Sequence, residues 1–376
     1  MSTKNHTPNR RLGNRRLLLF ALLILSVVHG CGKRSETPDK MTDAAKHDVR
    51  SRENMIDTTE KYVSPCRDIF EAAKQGTIKD IKYFIEQGAT VNKKDPAGQS
   101  PVHHAVHNID VLKYLIEQGA NINVKDINGT TPLHCAAIQL HSSIEVLKYL
   151  IEKGADVNAK GKFMETPLYF AVTSNSNADV AKILIDNGAD VDAKGENDLT
   201  PLHYAAQIPG PKIEVLKYLI EKGADVNAKD KIIETPLYYA VVFNSNVDVA
   251  KTLIDNGADV NAKDAYCRTP LHCAAIFPHS NFEALKYLID NGADVNAKDD
   301  CGLTPLHRVA LLPESKITVL KCLIEQGADI NAKDDSGRTP LDCAIYSSNI
   351  HIYREIDGRE AILREAGGKR GEELPE

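Results

Sequence analysis

Residues 131–163 read TPLHCAAIQLHSSIEVLKYLIEKGADVNAKGKF, and the order of residue types in this stretch dictates two helices and a projecting loop. The Thr131 hydroxyl can accept from an orphan backbone N–H, which marks it as an N-cap. Pro132 follows at the first helical position, where its missing N–H costs nothing. Leu133, Ala136 and Ala137 give a narrow apolar face, so the spacing predicts a short, closely packed first helix. A second helix, 143–153, carries Ile144, Leu147, Leu150 and Ile151 on one stripe. Gly154 ends it as a left-handed C-cap. Residues 155–160 are then expected to run extended with Val157 inward, before a turn to the next Thr-Pro. Neither helix is long enough to bury its apolar side alone.

The same order recurs along the chain. A G-A-x-[VI]-[ND] pattern begins at Gly88, Gly119, Gly154, Gly188, Gly223, Gly257, Gly292 and Gly327. A [TS]-P-[LV] pattern places prolines at 101, 132, 167, 201, 236, 270, 305 and 340, each 13 residues after its glycine. A period of this size marks stacked units that share a core with their neighbours rather than one globular core. TPLHCAA, TPLHYAA and GADVNAKD are close to the consensus of the ankyrin repeat, and the chain resembles that family over residues 65–368. The resemblance implies an all-α ankyrin-repeat solenoid of stacked helix-turn-helix units with protruding β-hairpin or loop fingers. Nine units fit. The first, 65–98, opens on Ser64-Pro65 and is polar. The last, 338–368, ends in REIDGREAILREAGG, with Arg354, Glu355, Arg359, Glu360 and Arg364 expected to face water at the open end of the stack. Residues 369–376 read as a tail.

All length variation falls between the proline and the next glycine. The loop joining the two helices is therefore longer than the family's tight turn in every unit but the second; HSS, NSNA, PGPK, NSNV, PHSN and PESK fill it. The units also alternate. IEVLKYLIEKGADVNAK at 144–160 and 213–229 forms one class, DVAKILIDNGADV (179–191) and DVAKTLIDNGADV (248–260) the other, as duplication in pairs would leave them.

Upstream of the repeats, Lys4, Arg10, Arg11, Arg15 and Arg16 precede LLLFALLILSVV (17–28), too short an apolar run to span a bilayer but fitting a signal peptide over 1–30. Val28-His29-Gly30-Cys31 resembles the lipobox of bacterial lipoproteins, which implies lipidation of Cys31, although His29 is an unusual occupant. Residues 31–64 are polar and mixed in charge, so they read as a flexible tether. The expected location is therefore the periplasm or cell envelope, with the membrane reached only through a lipid anchor. The formal charge of −6, with no basic run in the repeats, argues against a nucleic-acid groove.

Chemistry finds little support. His103, His134, His203, His272 and His307 recur in TPLH or its equivalent, once per unit, and the resemblance makes them hydrogen-bonding links, with Tyr169 and Tyr238 in the same slot elsewhere. His103 and His107 stand four apart, a metal-compatible spacing, with no third ligand nearby. No catalytic residue, metal site or cofactor is assigned. Cys135, Cys273 and Cys343 share a helical slot as small apolar residues. Cys267 and Cys301 sit in neighbouring loop tips and are the one pair to test for oxidation.

The reading that remains is a monomeric, non-catalytic adaptor that holds a partner protein on the concave face the family uses. A host-directed effector and, further off, a metal-dependent enzyme are the alternatives. Most tips follow D-x-x-G; three replace the glycine, leaving Phe163-Met164, Ile232-Ile233 and Tyr266-Cys267 as apolar tip pairs expected to make contact. Ile138, Ile208, Phe243, Phe277 and Leu312, at the ends of the first helices, are candidates too, or else pack beneath the interhelical loops.

Overall fold

A computed structural model describes residues 62–138, 144–174, 178–208, 213–244, 246–276, 282–312, 317–349 and 358–375. All belong to the compact unit Lys61–Glu376. Residues 1–61, which include Cys31 and the stretches read as a signal peptide and most of a tether, lie outside this set, as do Phe277, Arg354, Glu355 and most residues of the lengthened interhelical loops.

Eighteen α-helices form nine pairs among the described residues. The first helices are Ile69–Gln75 (α1), Pro101–His104 (α3), Pro132–Ile138 (α5), Pro167–Thr173 (α7), Pro201–Gln207 (α9), Pro236–Phe243 (α11), Pro270–Ile276 (α13), Pro305–Ala310 (α15) and Pro340–Asn349 (α17). The second helices are Ile78–Glu86 (α2), Ile109–Glu117 (α4), Ile144–Glu152 (α6), Ala178–Asp186 (α8), Ile213–Glu221 (α10), Val247–Asp255 (α12), Phe282–Asp290 (α14), Ile317–Glu325 (α16) and Gly358–Glu365 (α18). Each first helix packs on the first helix of the next unit, and the second helices stack in a parallel series. This is the solenoid the period demanded.

Its core is a line of small and branched residues. Leu133, Ala136 and Ala137 are fully buried, and Leu168, Leu202, Leu237, Leu271, Leu306 and Leu341 repeat the first of them. On α6 the buried stripe is Val146, Leu147 and Leu150; Ile144 and Ile151 are only half-buried, at its margins. Each second helix closes on its glycine with φ between 84 and 91°. The residue after Gly154 returns its N–H to Leu150 at 2.9 Å, a Schellman closure. Beyond it the chain does not run extended: Ala159 donates to the Asp156 carbonyl, and Val157 is half-buried in the resulting turn.

Both ends depart from expectation. The first helix starts at Ile69, not at Pro65, because the Asp68 carboxylate accepts from the Phe70 and Glu71 N–H groups and makes a stronger cap than Ser64. Ser64 and Tyr62 instead donate to buried Asp80, at 2.5 and 2.6 Å. Burial alone would raise the Asp80 pKa; the bonds from Ser64, Tyr62 and Thr77 outweigh it and hold the carboxyl well below its usual range. The last three residues of the tether segment are thus pinned to the first unit. At the far end Arg359 is 2% exposed, not water-facing: its guanidinium donates to the Ala310 carbonyl at 2.8 Å. The residues read as a tail fold back as well, Gly371 N–H and Arg370 Nε both donating to Asp342.

Candidate functional site: the fingers between units

Two hydrogen-bond ladders lock the joints. In the first, His103, His134, His203, His272 and His307 each accept at Nδ1 from the backbone N–H of the capping Ser or Thr, at 3.1–3.2 Å. An accepting Nδ1 places the proton on Nε2, which donates to a carbonyl of the following unit at 3.0–3.2 Å. Burial pushes all five imidazoles down in pKa, His134 to about 4. With both ring nitrogens committed, these histidines are unsuited to ligate a metal or move a proton. His103 is one of them, which removes the His103/His107 pair as a metal site; His104 between them pairs with Asp95. In the second ladder, the asparagine of each G-A-D-V-N motif donates to the glycine carbonyl of the next unit and accepts from an N–H two residues beyond that glycine, as Asn158 does with Gly188 and Asp190. Asp192 occupies one rung and can only accept, from the Asp225 N–H at 3.0 Å. Among the described residues no buried side-chain nitrogen or oxygen lacks a partner.

The fingers project from these joints. Among the described residues they contain no strand; each is a tight turn, so the loop form holds and the β-hairpin does not. An aspartate organises most of them. Asp230 Oδ1 accepts from the Ile232 and Glu234 N–H groups, both at 2.9 Å, and Asp264, Asp299 and Asp334 repeat the arrangement. Where Gly161 replaces the aspartate, the Glu165 carboxylate accepts from Phe163 N–H instead. Among the described residues, six of the seven adjoining finger pairs are tied by one backbone bond, for example Ala265 N–H to Ile232 O and Asp300 N–H to Tyr266 O, each at 3.0 Å; the fingers at 161–165 and 195–199 lack it.

The fourth residue of the turn is left-handed throughout. Gly98, Gly129, Gly302 and Gly337 hold φ of 72–76° there, and Met164, Asp198, Ile233 and Cys267 hold 56–67° at the same place. Four tips, not three, have lost the glycine; Asp198 completes the set. The backbone was kept and the side chain forced into it, which for a β-branched residue such as Ile233 is strained. Phe163, Met164, Ile233 and Tyr266 are 41–49% exposed, whereas Ile232 is half-buried. Ile138, Ile208, Phe243 and Leu312 are half-buried at the helix ends. Phe243 lies against Tyr239, ring centroids 5.6 Å apart. Ile127, 66% exposed on a finger that kept its glycine, joins the exposed tip residues without a sequence signal, since it is a single apolar residue in an otherwise ordinary D-x-x-G turn. Cys267 and Cys301 are both exposed free thiols on adjacent fingers.

Beside the row, a crevice lined by Met164, Tyr169, Leu199 and Tyr204 holds about 10 Å³, room for one water and not for a substrate. Asp299, Asp300 and Cys301 bring three donor atoms close together, but the Asp299 carboxylate is already taken by Arg308. The arrangement offers a ridge for contact.

The ankyrin-repeat family model (three copies) matches residues 69–161, 159–230, 231–299 and 271–356, and the chain belongs to that family. Ankyrin repeats are protein–protein interaction modules, and the family is generally non-catalytic. No curated protein matches the chain in sequence.

Proposed function

We propose that the protein is a non-catalytic adaptor, monomeric on its own, that holds a partner protein along the row of fingertips and the adjoining ends of the first helices. One observation carries this reading. Phe163, Met164, Ile233 and Tyr266 expose apolar surface on protruding turns, two of them at strained backbone positions, where they contribute nothing to the core. Strain kept at an exposed site is retained for contact rather than for stability. Capture with the full protein, run beside a Phe163→Ser/Ile233→Ser variant, tests it: the variant is expected to lose the partner, and equal recovery by both removes the fingertips from function.

The reading extends to the N-terminus, where the basic run, the short apolar segment and Cys31 support export and a lipid anchor in the cell envelope. Replacing Cys31 with Ser is expected to move the protein from the membrane fraction to the soluble one. Unchanged fractionation sinks the anchor and leaves the adaptor intact.

A further inference from the structure

Two fingers share a composition found in no other: Lys160-Gly161-Lys162-Phe163-Met164 and Lys229-Asp230-Lys231-Ile232-Ile233. Both end on a left-handed apolar residue, Met164 at φ 67° and Ile233 at φ 65°. All four lysines are exposed. The acids of the same fingers are turned inward. Glu165 accepts from the Phe163 N–H; Asp230 is 5% exposed and bonds to the Ile232 and Glu234 N–H groups and the Tyr239 hydroxyl; Glu234 is itself buried. Among the described residues none of the four ammonium groups pairs with a carboxylate. Lys162 lies 5.9 Å from the centre of the Phe163 ring, so charge and apolar surface are presented together. One finger stands between the two copies; it carries exposed Glu196 and half-buried Asp198 beside exposed Lys194, with no exposed apolar pair.

We propose that these two fingers are a duplicated docking element for a single partner segment: a stretch of protein with two clusters, each an apolar residue flanked by Asp or Glu, separated by a spacer free of acids. This rests on the partner-binding reading above and adds the partner's charge and its bipartite spacing. Burying the apolar pairs supplies contact energy, while carboxylates set against unneutralised lysines fix register and speed encounter. Acids in the spacer would meet a finger on which Glu196 and Asp198 outnumber Lys194, so they gain nothing there. Linking two weak contacts raises the joint affinity well beyond either alone.

The test selects phage-displayed random 24-residue peptides against the full-length protein. Enriched peptides are then titrated by fluorescence anisotropy against wild type, Lys162→Glu, Lys231→Glu, the double reversal, and Phe163→Ser/Ile233→Ser. These side chains are exposed, so thermal melting checks that each variant stays folded. Enriched sequences are expected to carry two acid-flanked apolar clusters. Each single reversal should weaken binding roughly tenfold and the double reversal on the order of a hundredfold or more, with affinity falling as salt rises. Neutral or basic enriched peptides, or a double reversal that binds like wild type, overturn the proposal. If binding is lost in Phe163→Ser/Ile233→Ser but unmoved by charge reversal, the acidic partner is wrong and the fingertip adaptor stands. If no peptide is enriched, both fall.

Discussion

The joints between units and the tips of the fingers are built from the same repeat, yet they obey opposite rules. At the joints the same bonds recur: a histidine or asparagine reaches across to the next unit's carbonyl, and every leucine of the Thr-Pro-Leu motif is sealed from water. At the tips the backbone path recurs while side chains change, and several are placed where backbone and solvent both disfavour them. Stability is concentrated in the joints, leaving the tips free to vary toward a ligand. The sharpest way to break this comparison is to truncate one apolar side chain at each, the larger one on the tip. Leu202→Ala, at a fully buried joint, is expected to cost about 2–5 kcal/mol in urea unfolding. Phe163→Ala, on a tip, should cost well under 1 kcal/mol. Similar costs at the two sites would show that the joints hold no special share of the stability.

Acid should attack the joints and spare the tips. In the unfolded chain His134 protonates near its ordinary pKa of 6.5; in the fold, burial delays this to about 4. Between those pH values the unfolded state binds more protons, so the contribution is complete above pH 6.5 and drains away as pH falls toward 4. For His134 this amounts to about 3 kcal/mol, and His103, His203, His272 and His307 shift in the same direction. The thermal midpoint should drop steeply from pH 7 to 4.5. His134→Tyr, the residue type found at 169 and 238, should flatten that slope; an unchanged slope would take the histidines out of the account.

The sequence made the joints legible and the tips only in part. Thr-Pro and Gly-Ala punctuate each unit because an N-cap and a left-handed C-cap admit few residue types, so boundaries could be read directly from Thr131, Pro132 and Gly154. The loss of tip glycines was readable too. That the backbone stays left-handed beneath Met164, Ile233 and Cys267 was not, because a lost glycine equally suggests a changed turn. Arg359 misled for another reason: a charged residue on a terminal helix reads as solvent-facing, and only the fold places the Ala310 carbonyl within its reach. Pro65 misled because two capping residues, Ser64 and Asp68, lie four apart and Asp68 wins.

A smaller effect sharpens the contrast at the tip itself. Ile233→Gly removes a strain of about 1–2 kcal/mol and gives back part of it, about 0.5–1 kcal/mol, as glycine's greater freedom in the unfolded chain. The net expectation is a gain of about 1 kcal/mol in stability together with weaker partner binding. A variant that gains stability and keeps full binding would show that the strain serves no contact.

The smallest effect falls on the broken rung of the asparagine ladder. Asn158 and Asn227, one unit to either side, each donate to the next unit's glycine carbonyl, and Asp192 stands in the same position with no N–H to offer. Burial, with the charges of Asp225 and Asp190, raises the Asp192 pKa against the opposing bond from the Asp225 N–H. A carboxyl whose folded pKa lies above its unfolded value stabilises relatively more at low pH and loses that contribution as pH rises. Asp192→Asn supplies the missing donor without changing shape, and is expected to add about 0.5–1 kcal/mol at pH 7. Near pH 3, where the wild-type carboxyl is protonated and can donate, the gain should vanish. A gain of equal size at both pH values would assign it to general charge relief and leave the rung itself without weight in the joint.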